Sequence, residues 1–113
     1  MSKSLSVTLS VKKEDIKDLL YSASSGSSYW CTNAEILGYE SRVTRAMRKE
    51  GVTIHDGEEN KKHKLNIDNI TSGLQTMAKK YPEHFADLMS ENTDNITSDV
   101  FLQCCLFGEV IYG

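Results

Sequence analysis

Proline is almost absent from this chain, whereas apolar residues are plentiful. A single proline occurs among 113 residues, and 39% of the residues are hydrophobic. Disordered chains are typically rich in proline and poor in apolar residues, so this composition indicates a folded globule. A chain of this length buries one hydrophobic core rather than two. We therefore expect a single domain spanning residues 1–113.

Cysteine is also scarce, and its spacing excludes the usual cysteine sites. The three cysteines are Cys31, Cys104 and Cys105, and they form no CxxC pair and no Cys/His ligand spacing. Adjacent cysteines rarely bridge each other, and an odd count leaves one thiol unpaired. We expect small buried thiols in a reducing cytosol, and no metal or other cofactor.

Long apolar runs and a targeting leader are both missing. No apolar run approaches the ~18 residues that cross a bilayer, and no charged-then-apolar segment opens the chain. We therefore expect a protein without membrane contact that stays in the cytosol of the cell that makes it.

Residues arranged for catalysis are lacking as well. The histidines His55, His63 and His84 form no i, i+4 pair, and no GxSxG elbow is present. The side-chain oxygens within residues 91–99 lack the central glycine of a calcium loop, so they predict helix caps and turns. We expect no enzymatic activity.

The first half of the chain predicts alternating strands and helices. Alternation of apolar and hydroxyl residues predicts a strand over residues 4–11, and a period of three to four predicts a helix over 12–23. The run at 24–28 is expected to end that helix, and 29–32 to form a short strand. A helix over 40–50 is followed by a hairpin of 52–54 and 64–67, with its turn at Asp56-Gly57 and a solvated tip over 58–63.

The second half predicts helices. The apolar stripe Ile70, Leu74, Met77 and Tyr81 predicts a helix with Asp68 as its N-cap, and Pro82 is expected to open the next one. That helix should turn Phe85, Leu88 and Met89 inward. A third, capped by Thr97 or Ser98, should end at Gly108, before a final strand over 110–112. The fold class predicted is α+β, a small mixed or antiparallel sheet covered by three to four helices.

Charge is segregated along the chain. Residues 42–64 hold seven Lys or Arg against four Asp or Glu, whereas residues 68–109 hold two against seven. Such asymmetry bears on partner choice more than on fold. The predicted partner-binding residues are Arg42, Arg45, Arg48, Lys49, Lys61 and Lys62, with Lys64 beside them. An alternative acidic surface is formed by Glu83, Asp87, Glu91 and Asp94.

Two kinds of anionic ligand are alternatives to a protein partner. The basic stripe, formed by Arg42, Arg45 and Lys49 with Arg48 beside them, suits nucleic-acid phosphates. No aromatic residues are interleaved with this stripe for base stacking. The run Ser25, Gly26, Ser27 and Ser28 suits a phosphate through its N–H groups. It follows a helix rather than preceding one, so the helix dipole disfavours an anion there. A tight loop that docks Tyr29 and Trp30 is the favoured interpretation.

Three segments carry a family resemblance. MAKKYPEHFADLMSEN and DVFLQCCLFGEVIYG, together with SSGSSYW, resemble a family of small proteins encoded by bacteriophages, prophages and gut-bacterial mobile elements. The resemblance covers roughly residues 14–31 and 70–113. It implies a phage or prophage accessory protein made in the bacterial cytosol, and it implies no reaction. Relatives often have an acidic residue and paired glycines before the Tyr-Trp, where this chain has SSGSS.

The resemblance and the missing catalytic residues together suggest a binding function. The first hypothesis is a non-enzymatic, anti-CRISPR-like inhibitor that blocks a bacterial defence protein or nucleoprotein complex, with residues 38–66 as its contact region. One alternative is a sponge for a cyclic nucleotide signal, which would use the Ser/Gly run and the basic stripe. Another is an interaction module in phage replication or packaging.

Overall fold

The computed structural model describes residues 10–113, in which helices pack around a single hairpin. The elements are α1 Lys13–Gly26, a 3₁₀ helix Ala34–Gly38, α2 Glu40–Ala46, β1 Val52–Asp56, β2 Lys61–Leu65, α3 Ile67–Lys80, α4 Pro82–Met89 and α5 Asn95–Phe107. β1 and β2 pair antiparallel, from Val52 opposite Leu65 to Asp56 opposite Lys61. The predicted α+β class is confirmed, with a smaller sheet and more helices than expected. The strand predicted over 4–11 lies outside the described residues, except for Ser10 and Val11, which are not in a strand.

Helix α5 forms the centre of the molecule. Its residues from Thr97 to Cys105 are all buried, polar ones included. A helix that is covered on every side has no polar face directed to solvent, unlike an amphipathic surface helix. Helices α1 and α3 make the most extensive contacts with it, and α4 and β2 add smaller ones. No helix within residues 10–113 is both long enough and apolar enough to cross a membrane.

Most helix boundaries differ from prediction at their caps. The run at 24–28 ends α1 as predicted, although the helix continues to Gly26 rather than stopping at residue 23, and α2 ends at Ala46 rather than at residue 50. Asn66, not Asp68, caps α3, because its side chain accepts hydrogen bonds from the N–H groups of Asp68 and Asn69. Helix α5 likewise begins after Asp94, not at Thr97 or Ser98. The predictions that Pro82 opens α4 and that Gly108 ends α5 are confirmed.

The two short strands predicted outside the hairpin are wrong. In the segment 29–32, only Cys31 forms a bridge, with Asp56. In the segment 110–112, the N–H groups bond to side chains of Tyr81 and Gln103 rather than to another strand. The hairpin itself is confirmed, but β2 begins at Lys61, so its turn is shorter than the predicted tip. The periodicity of apolar residues does not reveal that side chains, rather than a neighbouring strand, bond these backbone groups.

The predicted core is largely correct. Ile70 and Met77 are buried, while Leu74 and Tyr81 are half-buried and pack against the core. In α4, Leu88 is buried and Phe85 is partly buried against the core, as expected, whereas Met89, the last residue of the helix, is 43% exposed.

Helices α3 and α5 are in close contact at Gly73. A Cβ atom added at Gly73 would lie 2.4 Å from Cys105 Sγ and 2.8 Å from Cys105 Cα. Backbone atoms cannot give way as a flexible side chain can, so any larger residue would push the helices apart.

We predict that Gly73→Ala destabilises the protein by about 1–3 kcal/mol, as overpacking does. Helix propensity alone predicts the opposite, a gain of about 1 kcal/mol. Urea unfolding of this variant decides the sign, with Ser72→Ala, at an exposed position of the same helix, as the control. A Gly73→Ala variant more stable than wild type would show that the helix contact is loose.

Candidate binding surface

A buried carboxylate in α5 bonds to the turn that follows α1. Asp99 is only 9% exposed. Its Oδ1 accepts hydrogen bonds from Ser27 Oγ at 2.8 Å and Trp30 Nε1 at 2.7 Å. Its Oδ2 accepts from Tyr29 OH at 2.5 Å and Gln103 Nε2 at 3.1 Å. Four donors therefore replace the water that a carboxylate loses on burial.

Gln103 extends this network to the segment that follows α5. Its Oε1 accepts from the N–H groups of Ile111 at 2.8 Å and Tyr112 at 2.9 Å, and its Nε2 donates to the Tyr112 carbonyl at 3.0 Å. This amide thus bonds the chain as a neighbouring strand would. In the chain segment held by this amide, the ring of Tyr112 lies against that of Trp30, and the two ring centroids are 5.6 Å apart.

Asp56 ties the hairpin to the same network. Tyr112 OH donates to its Oδ2 at 2.7 Å, and the N–H groups of Glu58 and Glu59 donate to Oδ1 at 2.9 and 3.3 Å. Burial alone would raise the pKa of Asp56, but these hydrogen bonds outweigh it and lower the pKa. Asp56 is therefore a turn residue that also anchors the hairpin, which the Asp-Gly signal alone does not indicate.

The network gives the resemblance segments a structural role. The buried bonds of Ser27 and Trp30, in SSGSSYW, reach Asp99 of DVFLQCCLFGEVIYG. Tyr81, in the remaining segment, accepts the Val110 N–H at 2.8 Å. Residues of the three segments, although far apart in the sequence, thus bond one another inside the fold.

The candidate anion loop is occupied by these internal contacts. Ser27 is buried and bonded to Asp99, and the Ser28 hydroxyl donates to the Ser25 carbonyl at 2.9 Å. Gly26 packs against α5, since an added Cβ would lie 2.3 Å from the Asn95 carbonyl oxygen. The run also lies at the helix C-terminus, where the dipole repels anions. The favoured loop docks Trp30, which is buried, whereas Tyr29 stays 53% exposed although its hydroxyl bonds to Asp99. This geometry argues against a phosphate cradle.

The basic residues divide into two groups. Arg42, Arg45 and Lys64 line an open groove of about 420 Å³ with His55. Its remaining lining is Asn33, Ile36, Gly51, Val52 and Thr53, so none of the described residues that line it is acidic. Lys62 lies opposite His55, and Lys64 opposite Thr53, on the face of the hairpin that points away from the core.

The other predicted basic residues do not join this groove. Arg48 and Lys49 are exposed after α2, and the Arg48 carbonyl accepts the Ile67 N–H. Lys61 lies on the opposite face of β2 from Lys62, and its Nζ is 3.2 Å from Glu59. Arg45 also has a structural contact, since its Nε donates to the Gly51 carbonyl at 2.9 Å. The groove is thus a narrower basic surface than the sequence suggested.

The predicted acidic residues are partly used for capping. Asp94 caps α5, and the hydrogen bonds from the N–H and hydroxyl of Thr97 lower its pKa. Glu91 lies with Asp15 and Asp18 around a second groove of about 300 Å³, which Leu88 and Thr93 also line. Glu83 is exposed and Asp87 half-buried, and neither lines this groove. The turn-and-cap interpretation of residues 91–99 accounts for Asp94.

Cys31, Cys104 and Cys105 are buried free thiols, as predicted. Burial raises the pKa of Cys104 to about 11, and it also raises the pKa of Cys105 well above its ordinary value. Within residues 10–113, no three His, Cys, Asp or Glu side chains gather where they would hold a metal ion. Comparisons of the chain with protein-family models, curated proteins and solved structures find no match.

We predict that Asp99→Asn lowers the free energy of unfolding by about 2–3 kcal/mol. An amide offers one acceptor oxygen and a donor NH₂, so some of the four donors around it lose a partner. Urea unfolding measures the effect, and Asp68→Asn, at an exposed position, should change stability by less than about 0.5 kcal/mol. Equal effects in the two variants would mean that the buried network contributes little.

We also predict a loss of stability at alkaline pH. Burial, then the hydrogen bond to Asp99, raise the pKa of Tyr29 to about 12. Unfolded tyrosine titrates near pH ~10. The folded chain therefore holds this proton more tightly, which stabilises it below about pH 10 and ceases to as the pH rises towards 12. The hydrogen bond to Asp56 raises the pKa of Tyr112 in the same direction.

Urea midpoints measured from pH 8 to 11 test this. Tyr29→Phe should fall less steeply with pH than wild type, because one linked proton is gone. Tyr39→Phe, whose ring is 61% exposed, serves as the control and should keep the wild-type slope. A wild-type slope in Tyr29→Phe would contradict the assignment.

Proposed function

We propose that this protein is a phage- or prophage-encoded, non-enzymatic inhibitor that blocks a bacterial defence complex by binding an acidic surface of one of its proteins. The observation that supports this is the convergence of Arg42, Arg45 and Lys64 on one open groove. Lys62, across from His55, extends the positive surface along the hairpin.

The composition of the groove favours a protein partner. Ile36 and Val52 supply apolar contact, while Asn33 and Thr53 supply polar groups between the cations. Protein interfaces combine an apolar centre with a polar rim, and arginine is enriched in them. A basic surface also steers an acidic partner, which raises the association rate at low salt.

The residues that hold the fold together are separate from those that line the groove, and this separation supports the same proposal. The resemblance segments are used largely for internal bonds, through residues such as Ser27, Trp30 and Gln103. The groove is built instead from residues between 33 and 64, which lie outside those segments. A fixed framework that carries a separate exposed surface suits a protein that acts by binding.

The groove also favours a second candidate, a sponge for a cyclic nucleotide signal. Its volume of about 420 Å³ lies within the range of small-molecule sites. Arg42, Arg45 and Lys64 would meet the phosphates. The Ser/Gly run does not line this groove, so such a ligand would depend on the cations alone.

The sharpest test reverses charge without disturbing the fold. We predict that Arg42→Glu with Lys64→Glu abolishes capture of the target from a bacterial lysate and inhibition of the defence system. Neither side chain has a described hydrogen bond, so the melting temperature should change by less than about 3 °C. Arg45 is left intact because it bonds Gly51.

The matched control is Lys13→Glu with Lys79→Glu, which makes the same charge change at exposed positions outside the groove. It should bind and inhibit as wild type does. Equal loss in both variants would indicate a dependence on net charge alone, and full inhibition by Arg42→Glu/Lys64→Glu would exclude the groove. Stabilisation by a cyclic nucleotide, lost in that same variant, would favour the sponge instead.

A further inference from the structure

The backbone groups on the outer edge of β1 already have hydrogen-bond partners within the chain. The Thr53 carbonyl accepts from Asn33 Nδ2 at 2.8 Å, and the His55 N–H donates to Asn33 Oδ1 at 2.8 Å. The His55 carbonyl accepts the Thr32 N–H at 3.1 Å. The backbone groups of Thr53 and His55 therefore point away from β2, towards the segment that contains Thr32 and Asn33.

The direction of these groups in β1 determines which backbone N–H and C=O groups of β2 point away from β1. Backbone groups alternate along an antiparallel strand. The ladder must use Val52, Ile54 and Asp56 with their partners Leu65, His63 and Lys61. The N–H and C=O groups of Lys62 and Lys64 consequently point outward from β2. No hydrogen bond joins these four groups to any residue in the described range 10–113.

Charge decides what suits this edge. Lys62 and Lys64 are exposed, and their side chains lie on the same face of the hairpin as the basic groove. A second copy paired through the same edge would bring lysine near lysine, which is unfavourable between neighbouring strands. An extended segment with alternating acidic residues would instead place carboxylates beside Lys62 and Lys64.

We infer that the outer edge of β2 receives an extended acidic segment of the partner as a third strand. This inference rests on the proposed function and specifies how the partner is held. Backbone hydrogen bonds to Lys62 and Lys64 supply affinity, and the flanking cations select an acidic sequence. Arg42 and Arg45 then contact acidic groups of the same partner across the groove.

Proline substitution separates backbone from charge. Lys64→Ala removes the cation and keeps the outward N–H, whereas Lys64→Pro removes both. Proline is tolerated on an edge where the N–H faces solvent, so the hairpin ladder should persist. We predict that target capture by Lys64→Pro is about tenfold weaker than by Lys64→Ala, as expected for one lost hydrogen bond that leaves its acceptor buried.

A peptide probe keeps the test decisive if the proline variant fails to fold. The full chain, labelled for NMR, is titrated with a capped peptide of alternating glutamate and valine, and with a lysine–valine peptide as the control. The acidic peptide should shift the amides of Lys62 and Lys64 and slow their hydrogen exchange about tenfold, by the ordering of those N–H groups. The lysine peptide should do neither.

Three results would overturn the inference. Equal binding by Lys64→Pro and Lys64→Ala would show that the outward N–H of Lys64 contributes nothing to binding, and the proposed function would stand if Arg42→Glu/Lys64→Glu still failed to bind. Unchanged amides at Lys62 and Lys64 with the acidic peptide would exclude strand addition. Amides that are protected in the free chain and released by deleting residues 1–9 would identify that segment as the occupant.

Discussion

The fold depends on Asp99, a buried carboxylate that has no cation beside it among residues 10–113. Asp99 accepts from Ser27, Tyr29, Trp30 and Gln103, and so attaches the turn after α1 to the central helix. A charge removed from water is tolerated only where several dipoles point at it. Each donor is therefore constrained in position, which explains why Ser27, Trp30 and Gln103, all polar to some degree, belong to the interior.

How far the sequence predicts the fold depends on the kind of signal. Apolar periodicity predicted the hairpin and the helices, and Pro82 and Gly108 marked their boundaries correctly, because these signals act within a few residues. Caps were less predictable, since the residues near Asn66 and Asp94 offered several side chains suited to the same role. The irregular course of residues 110–112 depends on Gln103, a contact that no local pattern encodes.

The basic groove was predicted in part, for a related reason. Counting charges identified Arg42, Arg45 and Lys64, but only the fold shows that they line one groove with His55. The register of the hairpin places Lys61 on the other face of β2. Serine density, by contrast, suggested an anion site where Ser27 is needed to hold Asp99. Residue type specifies which chemistry is available, and the fold decides whether that chemistry faces a ligand or a neighbour.

The long span of the Asp99 network bears on how quickly the chain folds. Ser27 and Asp99 are 72 positions apart, and Tyr112 and Asp56 are 56 apart. Contacts this distant require large loops to close before they stabilise anything, and domains rich in them fold slowly for their size. The groove and the hairpin edge lie within the loop that these contacts close. The surface should therefore take its final shape only in the last cooperative step, when α5 docks.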